Sequence, residues 1–200
     1  MKSLTVAKES TKTLLLESGI EIMLEKGYNN TGIMEVLQRT GVPKGSFYHY
    51  FESKEDFGLQ IINHFAQKYE TKLNETLGNK SLSPINRLKA YCQMTTAHLQ
   101  SLDCRKGCLI GNLSQEMSDQ SEVFRKRLLA IQVDSHARFT NCLKESQQLG
   151  EISKKVNCSD LAELFLSAWS GAVLRAKTSK TTEPLNVFMR VMFQQVLTPP

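Results

Sequence analysis

Residues 41–51 carry the sequence GVPKGSFYHYF, which combines a turn, a helix start and a run of aromatic side chains. Pro43 lacks a backbone N–H and has a fixed φ, so it fits the beginning of a helix at little cost. Gly45 removes side-chain bulk where the helix surface can come close to another molecule. Three aromatic side chains can hold this helix on its neighbours: Phe47, Tyr50 and Phe51. The stretch therefore predicts a short helix that is anchored on one side and able to approach a second surface with the other.

Another short helix is predicted immediately before this stretch. Its inward-facing residues are Ile33, Val36 and Leu37. Thr31 is predicted to cap its start, and Gly41 to close it. Two short helices joined by a tight glycine turn are typical of a helix-turn-helix. A longer first helix, over about residues 7–26 and ended by Gly27, is predicted to support the pair.

Helical periodicity continues through the rest of the chain, without strand-like alternation or an internal repeat. The predicted fold class is therefore all-α. Further helices are predicted over about residues 53–77, 83–102, 109–117, 122–148, 159–178 and 184–196. Two of these, near the end of the chain, have broad apolar faces that suit either a core or an interface.

Composition limits the classes of function. The chain has 200 residues, 40% of them hydrophobic, so it is long enough to bury a core. A net charge of +5 from 25 basic and 20 acidic residues favours an acidic partner without locating its binding face. Five cysteines, an odd and widely spread set, suit a reducing cytosol. Because no leader-like or membrane-spanning apolar segment is found, we expect a cytoplasmic protein that does not enter a membrane.

The third helix is predicted to leave small and donor-rich side chains on its outer face. Lysine neutralises a phosphate, and serine and tyrosine hydroxyls donate to phosphate oxygens. Lysine and histidine can also reach base edges in the major groove. The outer residues are Lys44, Gly45, Ser46, Tyr48 and His49. On these residues alone, an aromatic corner of a helical bundle with a solvated polar face remains the alternative.

Residues 12–56 closely resemble the DNA-binding domain of the TetR family of bacterial transcriptional repressors. The resemblance rests on Gly27-Tyr28, Thr31, Gly41-Val42, residues 44–51 and Ser53-Lys54-Glu55. It implies an all-helical homodimer of about nine helices per subunit, with three in the DNA-binding domain and the others enclosing a small-molecule pocket. It further implies a near-palindromic double-stranded DNA operator, because two recognition helices related by two-fold symmetry enter successive major grooves.

The resemblance also assigns roles to particular positions. Thr31 corresponds to the residue that caps the second helix and touches phosphate, and Lys54 to a phosphate-contacting lysine. Residues 44–49 match the recognition segment. Arg39 lies where the second helix usually has an alanine-rich end in this family, so the role of Arg39 stays open. The implied domains are residues 1–53, for DNA binding, and residues 54–200, for ligand sensing and for dimerisation through the last two helices.

Residues 107–116, GCLIGNLSQE, resemble the branch of this family that includes the repressor of N-ethylmaleimide reductase and acrylate-responsive regulators. That branch responds to electrophiles and oxidants, and Cys108 matches its sensing thiol. A thiol at a helix start has its thiolate favoured by free N–H groups. Cys104 is a candidate resolving thiol, and Lys177 a candidate support for the thiolate.

Several alternatives stay open. Cys108 can instead be a small buried hydrophobic residue, or the repressor can bind a hydrophobic metabolite or drug without a covalent bond. Cys104 and Cys108 lack convincing further partners for a metal, so no metal site is expected. An enzyme acting on electrophiles is the rival class. It has no supporting motif, and no cofactor is expected since the chain lacks a phosphate-binding glycine loop.

Overall fold

The computed structural model describes residues 2–199, with side chains from residue 10 onward. This part of the chain contains nine α-helices and no strand. The helices are α1 (Lys2–Lys26), α2 (Ile33–Thr40), α3 (Lys44–Phe47), α4 (Lys54–Thr76), α5 (Pro84–Ser101), α6 (Leu109–Met117), α7 (Glu122–Gln148), α8 (Cys158–Ser179) and α9 (Glu183–Val191). The predicted all-α class is confirmed.

The helix ends follow from local chemistry. Gly27 and Gly41 adopt positive φ values of 83° and 68° after α1 and α2, a conformation that a residue without Cβ enters at little cost. The side chain of Asn157 accepts the backbone N–H groups of Ser159 and Asp160 and so caps α8. The last predicted helix changes at Met192–Val196 into a π-helical turn.

Two compact units make up the fold. The first consists of Met1–Gln67 and Leu109–Leu128, and the second of Lys68–Cys108 and Leu129–Pro200. Helix α6 therefore packs with the N-terminal helices although it follows them by many residues. The predicted functional boundary between residues 53 and 54 stays a prediction, and its outer limits Met1 and Pro200 lie outside the described residues.

Each unit has its own apolar core. In the first, the most deeply buried large side chains include Leu15, Ile22, Met23, Phe47, Phe51, Phe57, Ile61 and Phe124. The second is built on a chain of aromatic contacts among Tyr91, Phe139, Phe165, Trp169 and Phe188. No helix of the described residues has the length and apolar character needed to cross a membrane.

Candidate functional site

An aromatic cluster fixes the short helix α3. The ring centroids of Phe47 and Phe51 are 5.0 Å apart, and both rings pack on Phe57, at 5.2 and 4.7 Å. All three side chains have at most 1% of their surface exposed. Because tilted and edge-on aromatic contacts of this kind add to the free energy of burial, the orientation of α3 is well determined. Tyr50, predicted to point inward, is only half-buried.

The opposite side of α3 faces outward. Lys44, Gly45, Tyr48 and His49 are exposed, and Ser46 is half-buried. A Cβ added to Gly45 would meet no atom within 4 Å, so the backbone there is open to close approach. The helix itself is shorter than predicted, since the N–H of His49 bonds the carbonyl of Ser46 at 3.2 Å in a tighter turn. Lysine, hydroxyl and imidazole donors thus share one exposed surface suited to phosphates and base edges.

The predicted capping role of Thr31 is wrong. The N-cap of α2 is Gly32, and no side chain bonds the free N–H groups there. The Thr31 hydroxyl instead donates to the carbonyl of Gly27 at 2.6 Å, and only 2% of the residue is exposed. Its hydrogen bond closes the turn after α1 from within. The phosphate contact of Thr31 stays a prediction.

Lys54, the first residue of α4, already has partners within the protein. Its ammonium donates to the carbonyl of Asn29 at 3.1 Å and lies 4.7 Å from the centroid of the Tyr28 ring. Burial lowers the pKa of Lys54, and the negative charge of Glu116 opposes that change. The lysine therefore positions the α1–α2 turn, whatever it contacts on DNA.

Arg39, whose role the sequence left open, joins α2 to α1. Its guanidinium donates to the Glu25 carboxylate at 2.8 Å and lies 4.0 Å from Glu35. The hydrogen bond with Glu25 raises the pKa of Arg39. The pair is exposed, so its contribution to stability is small and orientation is its main effect.

Glu116, in the last turn of α6, is a residue that the sequence did not reveal. Its two carboxylate oxygens accept the backbone N–H groups of Tyr28 and Asn29, each at 2.8 Å. Glycine suits position 27, because its φ is +83° and a Cβ there would also lie 2.6 Å from Glu116 Oε2. Burial and the nearby carboxylates, Glu55 and Glu116, raise the pKa of Tyr28. The α1–α2 turn is thus held by a charged side chain from α6.

The connector between α5 and α6 carries both cysteines singled out in the sequence. Cys108 is half-buried against the core of the second unit and directly precedes α6, whereas Cys104 is 3% exposed within that core. Asp103 and Cys104 adopt positive φ values of 50° and 53°, which non-glycine residues enter only at a cost in free energy. The described cysteines are all free thiols.

Cys108 and Tyr69 both pack against the core that contains Tyr91, and Lys72 lies over the Tyr91 ring; the sequence had assigned no role to Lys72 or to either tyrosine. The Lys72 ammonium lies 5.8 Å from the centroid of the Tyr91 ring, and the Tyr91 hydroxyl is 3.2 Å from that of Tyr69. Burial lowers the pKa of Lys72. These residues come from α4 and α5, so only the fold brings Tyr69 and Tyr91 to the core against which Cys108 packs.

The remaining residue that was predicted to act in sensing lies on α8. Lys177 is half-buried near the end of α8, and its support for the Cys108 thiolate stays a prediction.

A polar pocket of about 330 Å³ lies beside Cys104, lined by Gln100, Asp103, Arg105 and Lys180–Thr182. Within residues 2–199, no group of three or more His, Cys, Asp or Glu side chains is arranged to hold a metal ion.

Two family models match the chain. The model of "Bacterial regulatory proteins, tetR family" matches residues 15–61, which include the whole α3 surface. The model of "Tetracyclin repressor-like, C-terminal domain" matches residues 84–192, which include the connector with Cys108.

Individual proteins agree with these models. The HTH-type transcriptional repressor DhaR of Mycobacterium sp. (strain GP1) is 36% identical over 192 residues, covering 96% of this chain and 95% of DhaR. The HTH-type transcriptional repressor NemR of Escherichia coli (strain K12) is 34% identical over 185 residues, covering 89% of each chain.

Solved structures confirm the fold. A regulatory protein TetR from Rhodobacter sphaeroides matches with a TM-score of 0.87 and 37% identity, over 91% of this chain and 96% of that one. The reduced form of E. coli NemR matches with a TM-score of 0.83 and 30% identity, over 96% and 100% of the chains. These relatives are named as regulators and not as enzymes. Both models match this chain, and the C-terminal model covers more than half of it. The chain therefore belongs to the TetR family and is a DNA-binding transcriptional repressor.

Proposed function

We propose that a small electrophile or oxidant releases this repressor from its operator by modifying Cys108. TetR-family regulators bind DNA operators and small-molecule effectors, typically as dimers. One observation carries the proposal: Cys108 is a half-buried thiol at the residue before α6, and the last turn of α6 holds the α1–α2 turn through Glu116.

The covalent step needs only the thiolate and the effector. With an activated alkene, the Cys108 sulfur forms a bond to one alkene carbon, the π bond breaks, and the other carbon takes a proton from water. With a peroxide, one oxygen forms a bond to sulfur as the O–O bond breaks, and the second oxygen leaves as hydroxide. Either product is larger than the thiol, so the tightly packed surroundings must adjust.

Helix α6 provides a route by which that adjustment reaches the DNA-binding helices. It has nine residues, with Cys108 directly before one end and Glu116 in the turn at the other. A displaced α6 would pull the Glu116 carboxylate away from the N–H groups of Tyr28 and Asn29 or drag them with it. Since α1 and α2 support α3, the modified protein would favour a spacing of recognition helices that does not fit the operator.

Similarity to known repressors supports this effector class. NemR is among the relatives, and its matched crystal structure is of a reduced form. The Gly-Cys-Leu sequence at residues 107–109 is the feature that links this chain to the electrophile-responsive branch. A half-buried Cys108 also suits a thiol that a small reagent can reach.

The proposed DNA contacts lie on and around α3. Lys44, Ser46, Tyr48 and His49 would contact phosphates or base edges, and Gly45 would let the backbone come close. Thr31 and Lys54 would add phosphate contacts at the flanks. The exposure of the α3 surface and its rigid aromatic anchor support this assignment.

The proposed dimer forms through α8 and α9. A stripe on α8 is exposed at the spacing of a heptad repeat: Leu164, Ser167, Gly171, Leu174 and Thr178. Gly171 has open space around it, which would let a partner helix approach closely. On α9 and its π-helical turn, Val187, Val191 and Val196 are 38–39% exposed. Such a four-helix interface would present two α3 helices to a near-palindromic operator.

Removing the Lys44 charge is expected to lower the affinity for DNA and to make that affinity less dependent on salt concentration. A dimer with Lys44→Ala loses two phosphate contacts, so the slope of log affinity against log salt falls by about 2. The measurement is fluorescence anisotropy with DNA from upstream of the protein's own gene, over a range of salt concentrations. Lys154→Ala, an exposed lysine after α7, removes the same charge and should leave the slope unchanged. Equal slopes for both variants would exclude Lys44 as a phosphate contact.

Replacing Cys108 is expected to uncouple DNA binding from the effector. Cys108→Ser should bind the operator like the unaltered protein but stay bound after treatment with N-ethylmaleimide, which should weaken the unaltered protein at least about tenfold. Cys158→Ser, at another buried thiol, is the control and should be released normally. Normal release of Cys108→Ser would refute covalent sensing at this residue and favour a non-covalent effector.

Charging the α8 stripe is expected to break the dimer. Leu164→Glu places a carboxylate in the proposed apolar contact, where burying it is costly. Light scattering after gel filtration should show a monomer with weaker operator binding. Leu149→Glu introduces the same charge at a residue that is 68% exposed, and it should remain dimeric. A dimeric Leu164→Glu/Leu174→Glu double variant would show that the interface lies elsewhere.

A further inference from the structure

The polar pocket beside Cys104 belongs entirely to the second unit and has no part in the proposed sensing at Cys108. Its volume of about 330 Å³ lies within the range of pockets that hold small molecules. Part of its lining comes from the end of α5 and the connector after it: Gln100, Asp103, Cys104 and Arg105. The rest comes from residues 180–182, in the turn that joins α8 to α9. Two turns that are distant in sequence therefore form one small cavity.

Positive charge predominates in the lining of this pocket. Arg105 and Lys180 are its cations, and Asp103 is its only carboxylate. The Asp103 carboxylate is 81% exposed and lies 3.9 Å from the Arg105 guanidinium, so it compensates that cation only weakly. Among the residues that the structure describes, none forms an ion pair or a hydrogen bond with the Lys180 side chain. The charges of the lining therefore favour an anionic ligand.

Two threonine hydroxyls add hydrogen-bonding capacity beside these cations. Thr182 is the N-cap residue of α9, but its side chain bonds no N–H group of that helix. The Thr181 hydroxyl lies 3.2 Å from the Ser179 hydroxyl, and because Thr181 is exposed it can take part in a further hydrogen bond. A hydroxyl that donates to a carboxylate or phosphate oxygen forms a charge-assisted hydrogen bond. Such a lining suits a small polar anion better than a hydrophobic drug.

The backbone around the pocket is fixed by the fold. The described non-glycine residues with positive φ are Asp103, Cys104 and Lys180, and all three line the pocket. The N–H of Cys104 donates to the carbonyl of Leu99 at 2.8 Å, which holds the connector in its turn. Cys104 itself is 3% exposed within the core. A ligand that binds to a preformed wall of this kind costs little conformational entropy.

We propose that this pocket binds a small organic anion, with its carboxylate or phosphate group against Arg105 and Lys180 and its polar remainder against the threonine hydroxyls. The site goes beyond the proposed function, because it does not require the Cys108 thiol to react. Arg105 is 74% exposed and Lys180 is also exposed, so each ion pair contributes little, and the expected Kd is about 1 mM. A bound anion would join the connector after α5 to the turn before α9.

Isothermal titration calorimetry tests this inference on the full-length protein without DNA, at constant ionic strength. The carboxylate probe is 3-hydroxybutyrate, and its neutral counterpart is 3-hydroxybutyramide. The phosphate probe is glycerol 3-phosphate, and its neutral counterpart is glycerol. At least one anion should bind about tenfold more tightly than its neutral counterpart, and the anion that does so identifies the acidic group. If neither anion binds at concentrations up to about 10 mM, the inference is overturned.

Substitutions in the lining show whether the anion occupies this pocket. Arg105→Gln and Lys180→Asn each remove one cation and should lower the affinity about threefold, and the double variant about tenfold. Asparagine tolerates the positive φ at position 180. Asp103→Asn removes the repelling carboxylate and should raise the affinity about threefold, a gain that misfolding cannot produce. Lys154→Gln, at an exposed lysine outside the pocket, is the matched control and should bind like the unaltered protein.

A phosphate probe also suits the proposed DNA-binding surface of α3, so Lys44→Ala is a second control. Affinity that is lost in Lys44→Ala but kept in the Arg105→Gln/Lys180→Asn double variant would place the anion on α3 and overturn the inference. Cys108→Ser should bind the anion normally, which keeps this test separate from electrophile sensing. If the anion binds as expected while N-ethylmaleimide releases Cys108→Ser from its operator, the pocket stands and the proposed function fails.

Discussion

The contact between Glu116 and the α1–α2 turn is the constraint on which the DNA-binding unit depends. Two backbone N–H groups, of Tyr28 and Asn29, are directed at one carboxylate, and hydrogen bonds to a charged group contribute about 1.5–3 kcal/mol each. Gly27 leaves room for the carboxylate, and Lys54 closes the turn from the other side by bonding the Asn29 carbonyl. The turn is therefore set by α6 and α4 together, and α2 and α3 begin from it. A shift of α6 would therefore disturb the hydrogen bonds that hold this turn.

Helix α6 also links the connector that carries Cys108 to the α1–α2 turn. Cys108 precedes α6 directly, and a helix of nine residues is about 14 Å long, so a shift at one end of α6 would also move the other. A packed interior does not absorb an added group gradually; it changes between discrete arrangements. The strained φ values at Asp103 and Cys104 lie in this connector, so the segment before the thiol is held in shape by its surroundings. In the proposed function, Glu116 is the residue through which that change would reach the α1–α2 turn.

Much of the fold could be predicted from the sequence because helices are specified locally. Apolar spacing and glycine stops located α6 and α7 at their observed limits, and the aromatic run at residues 47–51 identified the anchored face of α3. The coupling residues could not be found that way. Glu116 bonds backbone N–H groups 87 and 88 residues earlier, and a backbone donor leaves no mark in the sequence. The prediction for Thr31 was wrong for a related reason. Its hydroxyl could bond the N–H groups at the start of α2 or a carbonyl of the preceding turn, and in the structure it bonds the Gly27 carbonyl.

Amide hydrogen exchange at the α1–α2 turn tests the central claim most directly, namely that modification of Cys108 loosens the Glu116 contact. The full-length protein would be compared with and without alkylated Cys108, in the absence of DNA. Exchange at the N–H groups of Tyr28 and Asn29 should become faster on alkylation. The N–H groups of Ser159 and Asp160, which the Asn157 side chain holds at the start of α8, should keep their rates. Unchanged exchange at Tyr28 and Asn29 in protein whose operator affinity has fallen would contradict the account.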